Sequence, residues 1–163
     1  MYKFKFSFLL ALIVLLAWGC NQDPVFPVEP QIEFMDISPK EAIHLRDSVV
    51  IRFRFQDGDG DIGQENSGEN DLLIIDARYE DPANNITKQE ATIGYSMMNL
   101  TPDARKPAIQ GEVAVIIPVV YNLAGRRDEQ VRFQIELKDR AGNVATGMDG
   151  SQTIYTDYIR VYR

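Results

Sequence analysis

From Val131 to Lys138 the side chains alternate without exception. Val131, Phe133, Ile135 and Leu137 fall on one side, and Arg132, Gln134, Glu136 and Lys138 on the other. Val49, Ile51, Phe53 and Phe55 alternate with Val50, Arg52, Arg54 and Gln56 in the same manner. A period of two gathers the apolar side chains on one face of an extended chain, as in an antiparallel strand with one face on a core and one in water. Weaker segments of this kind run over 32–37, 71–80, 86–95, 112–120 and 152–162. After residue 20 no stretch carries an apolar stripe of helical period with caps at its ends. Seven short strands separated by turn signals predict an all-β chain, an immunoglobulin-like antiparallel β-sandwich of about seven strands over 32–163. Pro118 has no N–H to give to a ladder and is expected at a strand end or an edge.

The sandwich is preceded by a segment of different character. Lys3 and Lys5 lead into an apolar run from Phe6 to Trp18, interrupted only by Ser7, that closes with Ala17, Trp18, Gly19 and Cys20. A positive start, a short apolar stretch and small residues before a cleavage point describe an export signal over 1–19. The run of 13 residues falls short of the ~20 that cross a bilayer as a helix. The chain has one cysteine, and it stands where the small residues end. Cys20 is therefore expected to be lipidated as the first residue of a bacterial lipoprotein, anchored in the outer membrane; an ordinary export signal with an incidental cysteine is the alternative. Residues 20–31, with Pro24, Pro27 and Pro30 spaced by three, are expected to form a semi-rigid polyproline-type tether.

Removing residues 1–19 takes away two lysines and moves the formal charge from −7 to −9 over the remaining 144 residues. Such an acidic excess repels nucleic acid and anionic lipid surfaces and favours cations and basic partners. With Cys20 acylated no thiol remains, which excludes disulfides, a thiol nucleophile and cysteine-bound metals.

One segment concentrates the acidity: Asp57-Gly58-Asp59-Gly60-Asp61-Ile62-Gly63. Glycines between the carboxylates let the backbone fold tightly, so that positions 1, 3 and 5 converge on one point. Convergent hard oxygens suit Ca²⁺. The expected ligands are the carboxylates of Asp57, Asp59 and Asp61, the carbonyl of Gly63, and Glu65 at the ninth position. The match to an EF-hand loop is incomplete: Ile62 occupies the glycine position, Gly68 the position of the bidentate glutamate, and Glu69 comes one place late. A solvated acidic turn between two strands would carry the same residue types.

Counted in strand order, this segment is the B–C loop, and the F–G loop begins at Asp139. In the expected sandwich those loops share one end with Ser96–Gly111 and with the start of the first strand. Asp139 and Asn143 are thereby candidate ligands from the second loop, although Asp139-Arg140-Ala141-Gly142-Asn143 also reads as an ordinary hairpin turn. A cation here would stiffen the junction between tether and domain. His44, the single histidine, has no serine or cysteine pattern around it and is expected to be structural. Tyr155, Tyr158 and Tyr162 are more readily packing residues than a sugar-stacking strip.

The run Asp47-Ser48-Val49-Val50-Ile51-Arg52-Phe53 leading through Phe55 and Gln56 into the acidic heptad resembles uncharacterised surface or periplasmic lipoproteins of the Bacteroidota. The similarity continues through Leu100-Thr101-Pro102, Ile109-Gln110-Gly111-Glu112, Val131-Arg132-Phe133-Gln134-Ile135 and Asp139-Arg140-Ala141-Gly142-Asn143. It implies a single Ig-like domain on a lipid anchor and brings no activity with it. Asp47-Ser48-Val49 is also similar to an O-glycosylation tripeptide of those bacteria, and a plain turn before the strand explains it equally well. The expected function is a non-enzymatic binding or assembly module of the cell envelope with a Ca²⁺-stabilised loop. Its partners would be the membrane, through Cys20, and an envelope protein or glycan. An accessory subunit of an outer-membrane complex and a carboxylate-based glycan hydrolase are the alternatives.

Overall fold

The computed structural model describes residues 25–64, 68–101 and 107–163. Residues 1–24, including Cys20, and the expected ligand Glu65 lie outside the described residues. The described chain is all-β: β1 (Gln31–Ser38), β2 (Glu41–Ile43), β3 (Val49–Asp57), β4 (Leu72–Asp76), β5 (Thr92–Tyr95), β6 (Ile109–Ile117), β7 (Asp128–Val131), β8 (Phe133–Leu137), β9 (Thr146–Gly147), β10 (Ile154–Tyr155) and β11 (Ile159–Tyr162). Two short 3₁₀ turns, Ala77–Glu80 and Pro82–Asn84, are its helical content. No helix among the described residues is long and apolar enough to cross a membrane.

Three sheets form, in the orders β6-β3-β1-β9, β10-β8-β4-β5 and β2-β11-β7. The alternating segments supply the core as their period demands. Val49, Ile51, Phe53 and Phe55 of β3 and Phe133, Ile135 and Leu137 of β8 are all buried in one cluster, joined by Ile32, Ile37, Leu72 and Ile74. Pro118 follows the end of β6, where its missing N–H costs nothing.

Several elements depart from the expected seven strands. The β1–β9 and β2–β11 pairs are parallel. The 131–138 alternation is cut at Arg132, because the chain there leaves β11 as partner and takes up β4. Its return strand is cut in step: β10 pairs with β8, and β11 with β7. Thr156 secures the crossing, its hydroxyl accepting from Phe133 N–H (3.0 Å) while its own N–H donates to Phe133 O (2.8 Å).

The segment 71–80 is strand only to Asp76, whose carboxylate accepts from Arg78 N–H and starts a 3₁₀ turn. In 86–95 the first residues are diverted by a local cap, in which the Glu90 carboxylate accepts from both the N–H and the hydroxyl of Thr87. Only Thr92–Tyr95 joins the sheet.

Arg78 is a buried anchor, 9% exposed. It donates to Asp76 Oδ1 (3.0 Å), to Glu129 Oε2 (2.7 Å) and to the carbonyl of Tyr121 (2.9 Å). Glu129 Oε2 also accepts from the N–H groups of Leu123 and Ala124. One guanidinium thus ties the segment after β6 to β4 and β7.

Candidate metal centre

The acidic heptad begins as the last residue of β3 and is fixed at three places. Ile62 is completely buried in the core cluster, which explains an isoleucine at the position where an EF-hand loop has glycine: the side chain pins the loop to the core. Ile62 also bridges to Asp139, and Arg140 N–H donates to Asp61 O (3.1 Å). The two loops assigned to one end are therefore in contact. The Arg140 guanidinium clamps them, donating to the carbonyl of Gly63 (2.6 Å), to Asn99 Oδ1 (2.9 Å) and to Thr101 Oγ1 (3.3 Å). Thr101 in turn donates its hydroxyl to Gly60 O (2.6 Å), so the start of the long segment before β6 joins the same cluster.

Glycine is required where neighbouring backbone presses on the loop. At Gly63, with φ +77°, a Cβ would collide with the carbonyl of Met98. At Gly58 it would collide with the carbonyls of Phe26 and Pro27, and Gly58 N–H donates to Pro27 O (2.7 Å). Residues 26–30 therefore dock on the domain, with Pro30 buried and its carbonyl accepting from Thr146 N–H. Gly58→Val is expected to lift this segment and speed proteolytic cleavage within 25–30; an unchanged rate in limited proteolysis would mean that the contact does not hold in solution.

The three carboxylates converge as their spacing predicts. Asp57, Asp59 and Asp61 each offer one oxygen, and these oxygens lie within 4.8 Å of one another. Ligands of one Ca²⁺, held at ~2.3–2.6 Å, stand at most about 5 Å apart. Asp57 is the least solvated of the three, at 0% exposed. Its Oδ2 accepts from Asp61 N–H (2.8 Å), while Oδ1 is buried and meets no hydrogen-bond donor among the described residues. Burial pushes its carboxyl up to about 6, against the hydrogen bond from Asp61 N–H and helped by the charges of Asp59, Asp61 and Asp139. The Oδ1 atoms of Asp59 and Asp61 are buried as well.

The other expected ligands are used differently. The Gly63 carbonyl accepts from the Arg140 guanidinium at 2.6 Å, and the positive charge beside it disfavours a cation on that oxygen. Asp139 is buried, and its two oxygens accept from the backbone N–H and the side-chain amide of Asn143, both at 2.7 Å. The pair closes its own turn beside the three-carboxylate group, as the hairpin reading has it. Sequence reasoning missed Arg140; its position in the turn that faces the acidic loop was the available signal.

The remaining candidates are engaged in hydrogen bonds and ring contacts. His44 Nδ1 accepts from Asn122 N–H (2.9 Å). Arg132 lies over the Tyr155 ring at 4.0 Å and 5.3 Å from that of Tyr158, while the Tyr162 hydroxyl donates to Glu41. The tyrosines do not form a free stacking strip. Asp47 closes a turn by accepting from Ile43 N–H (2.8 Å), which leaves Ser48 exposed before β3. The chain matches no protein-family model, no curated protein and no solved structure.

Proposed function

We propose that this chain is a non-enzymatic, lipid-anchored module of the outer membrane, an Ig-like sandwich whose acidic loop takes up Ca²⁺ and serves binding or assembly in the cell envelope. The cation rests on one observation above others: Asp57 is sealed from solvent with one oxygen lacking a donor, beside two further carboxylates at ligand spacing. A buried carboxylate with an unmet oxygen costs free energy that a divalent cation recovers. Asp57, Asp59 and Asp61 would hold the ion, with water or residues outside the described set completing its shell.

The Ig-like assignment draws support from the partition of the strands. β1, β3 and β6 share one sheet and β4, β8 and β10 a second, as the A, B, E and C, F, G strands of such a sandwich do, while β5 pairs with β4 in the second sheet and β2, β11 and β7 form a third. The lipid anchor and the outer-membrane location rest on Lys3, Lys5, the apolar run and Cys20, together with the resemblance to Bacteroidota lipoproteins. Phe26 and Pro27 meet the acidic loop at Gly58, so an ion bound there would lie near the point where the chain enters the domain and would serve to stiffen that junction.

Calorimetric titration of the protein with CaCl₂ is expected to show one site in the weak extracellular range, ~10⁻⁴–10⁻³ M, and none in the Asp59→Ala variant. A parent that takes up no Ca²⁺, or a variant that binds as the parent does, overturns the assignment.

A further inference from the structure

Among the described residues, strand β6 is the long edge strand with no partner on its outer side. It has nine residues, while the other edge strands among the described residues, β2, β5, β7, β9 and β10, have two to four. Which of its groups face outward follows from the ladder. The N–H groups of Thr146 and Met148 donate to the carbonyls of Pro30 and Ile32. Even-numbered residues at that end of β1 therefore address β9, and odd-numbered ones address β3. The register carries this alternation across the sheet: even residues of β3 bond β1, odd residues of β3 bond odd residues of β6. Gln110, Glu112, Ala114 and Ile116 are left with N–H and C=O pointing out. The Tyr95 hydroxyl, at 2.7 Å from Ile116 O, is the one described group that meets them.

Such an edge is a template for pairing, and proteins commonly block it with lysine, proline or a bulge. β6 carries none of these. It pairs with β3 one to one over its whole length, and its single charge, Glu112, is engaged with Arg54.

We propose that β6 pairs antiparallel with β6 of a second copy across a two-fold axis, joining two four-stranded sheets into one of eight strands. The charges of the exposed face select the register. With Glu112 opposite Ala114 of the second copy, one row across the joined sheet runs Asp36, Arg52, Ala114, then Glu112, Arg54 and Glu33 of the second copy. Signs alternate along it, and the small Ala114 leaves Arg52 free to reach the incoming carboxylate. The neighbouring registers are worse. One sets Glu112 directly against Glu112, and like charges opposed on a sheet destabilise the pair; the other sets Glu112 against Ile116, whose neighbour on β3 is Val50, so the carboxylate meets no cation there. The contact is isologous and closes at two copies.

Cross-linking reads the register. Gln110→Cys and Ile116→Cys introduced together, which the same register sets opposite each other and which keep Glu112 and Ala114, with Cys20→Ser to leave no other thiol, are expected to give a disulfide-linked dimer on mild oxidation. Paired residues of this kind stand ~5.5 Å apart at Cα, within the ~4.4–6.8 Å that a disulfide spans. Either cysteine alone is expected to leave the two chains without a covalent link. Sedimentation of the unmodified protein should give twice the chain mass. Ala114→Pro, which removes an outward N–H and leaves the β3 ladder whole, should give single chains with an unchanged unfolding midpoint. Single chains in the unmodified protein at high concentration, or a dimer in which the Gln110→Cys and Ile116→Cys pair does not link, would overturn the proposal.

Discussion

Replacing Arg78 by leucine is expected to lower the stability of the fold by about 3–5 kcal/mol, the cost of removing one partner from a buried ion pair. In a domain of this size the thermal midpoint should fall by roughly 10 °C. The magnitude comes from what the substitution leaves behind rather than from the hydrogen bonds it deletes. Asp76 and Glu129 have side chains only 16% and 11% exposed, and they converge on the same guanidinium. Without it, two poorly solvated carboxylates repel each other and the carbonyl of Tyr121 loses its donor. A double variant with Glu129→Gln should lose less than the two single losses combined, because the second change removes one of the stranded charges. Equilibrium unfolding in urea measures all three. A loss below about 1 kcal/mol, the level of an exposed ion pair, would contradict the buried anchor.

The second large effect has the opposite sign. Asp57→Asn is expected to stabilise the ion-free protein and to abolish its response to Ca²⁺. In the parent, burial and three neighbouring carboxylates disfavour the charged form of Asp57; the amide keeps the acceptor for Asp61 N–H and discards the charge. A shift from the ordinary carboxylate range to about 6 sets an upper bound of about 3 kcal/mol. The new amide donors lack a designed partner, so a gain of about 1–2 kcal/mol in EDTA is expected. In millimolar Ca²⁺ the order should reverse, with the parent the more stable of the two. An Asp57→Asn protein less stable than the parent in EDTA would mean that the carboxylate already stabilises the fold without a cation.

The all-β class and the main core strands were legible because their cause is local. Alternation over 49–56 and 131–137 states which side chains are buried, and Phe53, Ile135 and Leu137 are buried accordingly. The adjacency of the acidic loop and the Asp139 turn was legible from strand order alone and appears as the Ile62–Asp139 bridge. What escaped depends on partners far along the chain. Nothing near Arg132 shows that its strand changes neighbours there, because the reason lies in Thr156 and in β4.

Arg78 sits in a stretch that reads as strand, and only the fold brings Glu129 to it. Within the candidate site, the D-x-D-x-D spacing was enough to gather Asp57, Asp59 and Asp61. The hydrogen bond from Arg140 to the carbonyl of Gly63 was not legible, because only the fold brings the two loops together. Asp139 and Asn143 satisfy each other, a pairing that two residues four apart in a turn make as readily as a metal site.

Thermal unfolding of the protein in EDTA and in millimolar Ca²⁺, beside the Asp59→Ala variant, tests the central claim most directly. Free Ca²⁺ at ~50 times its dissociation constant stabilises the folded state by roughly 2 kcal/mol, a rise of several degrees in the midpoint for a domain of this size. The account predicts that rise in the parent and its absence in Asp59→Ala. Equal midpoints for the parent in the two conditions would contradict it, reducing the Asp57–Gly63 loop to a charged turn held by Ile62 and Arg140.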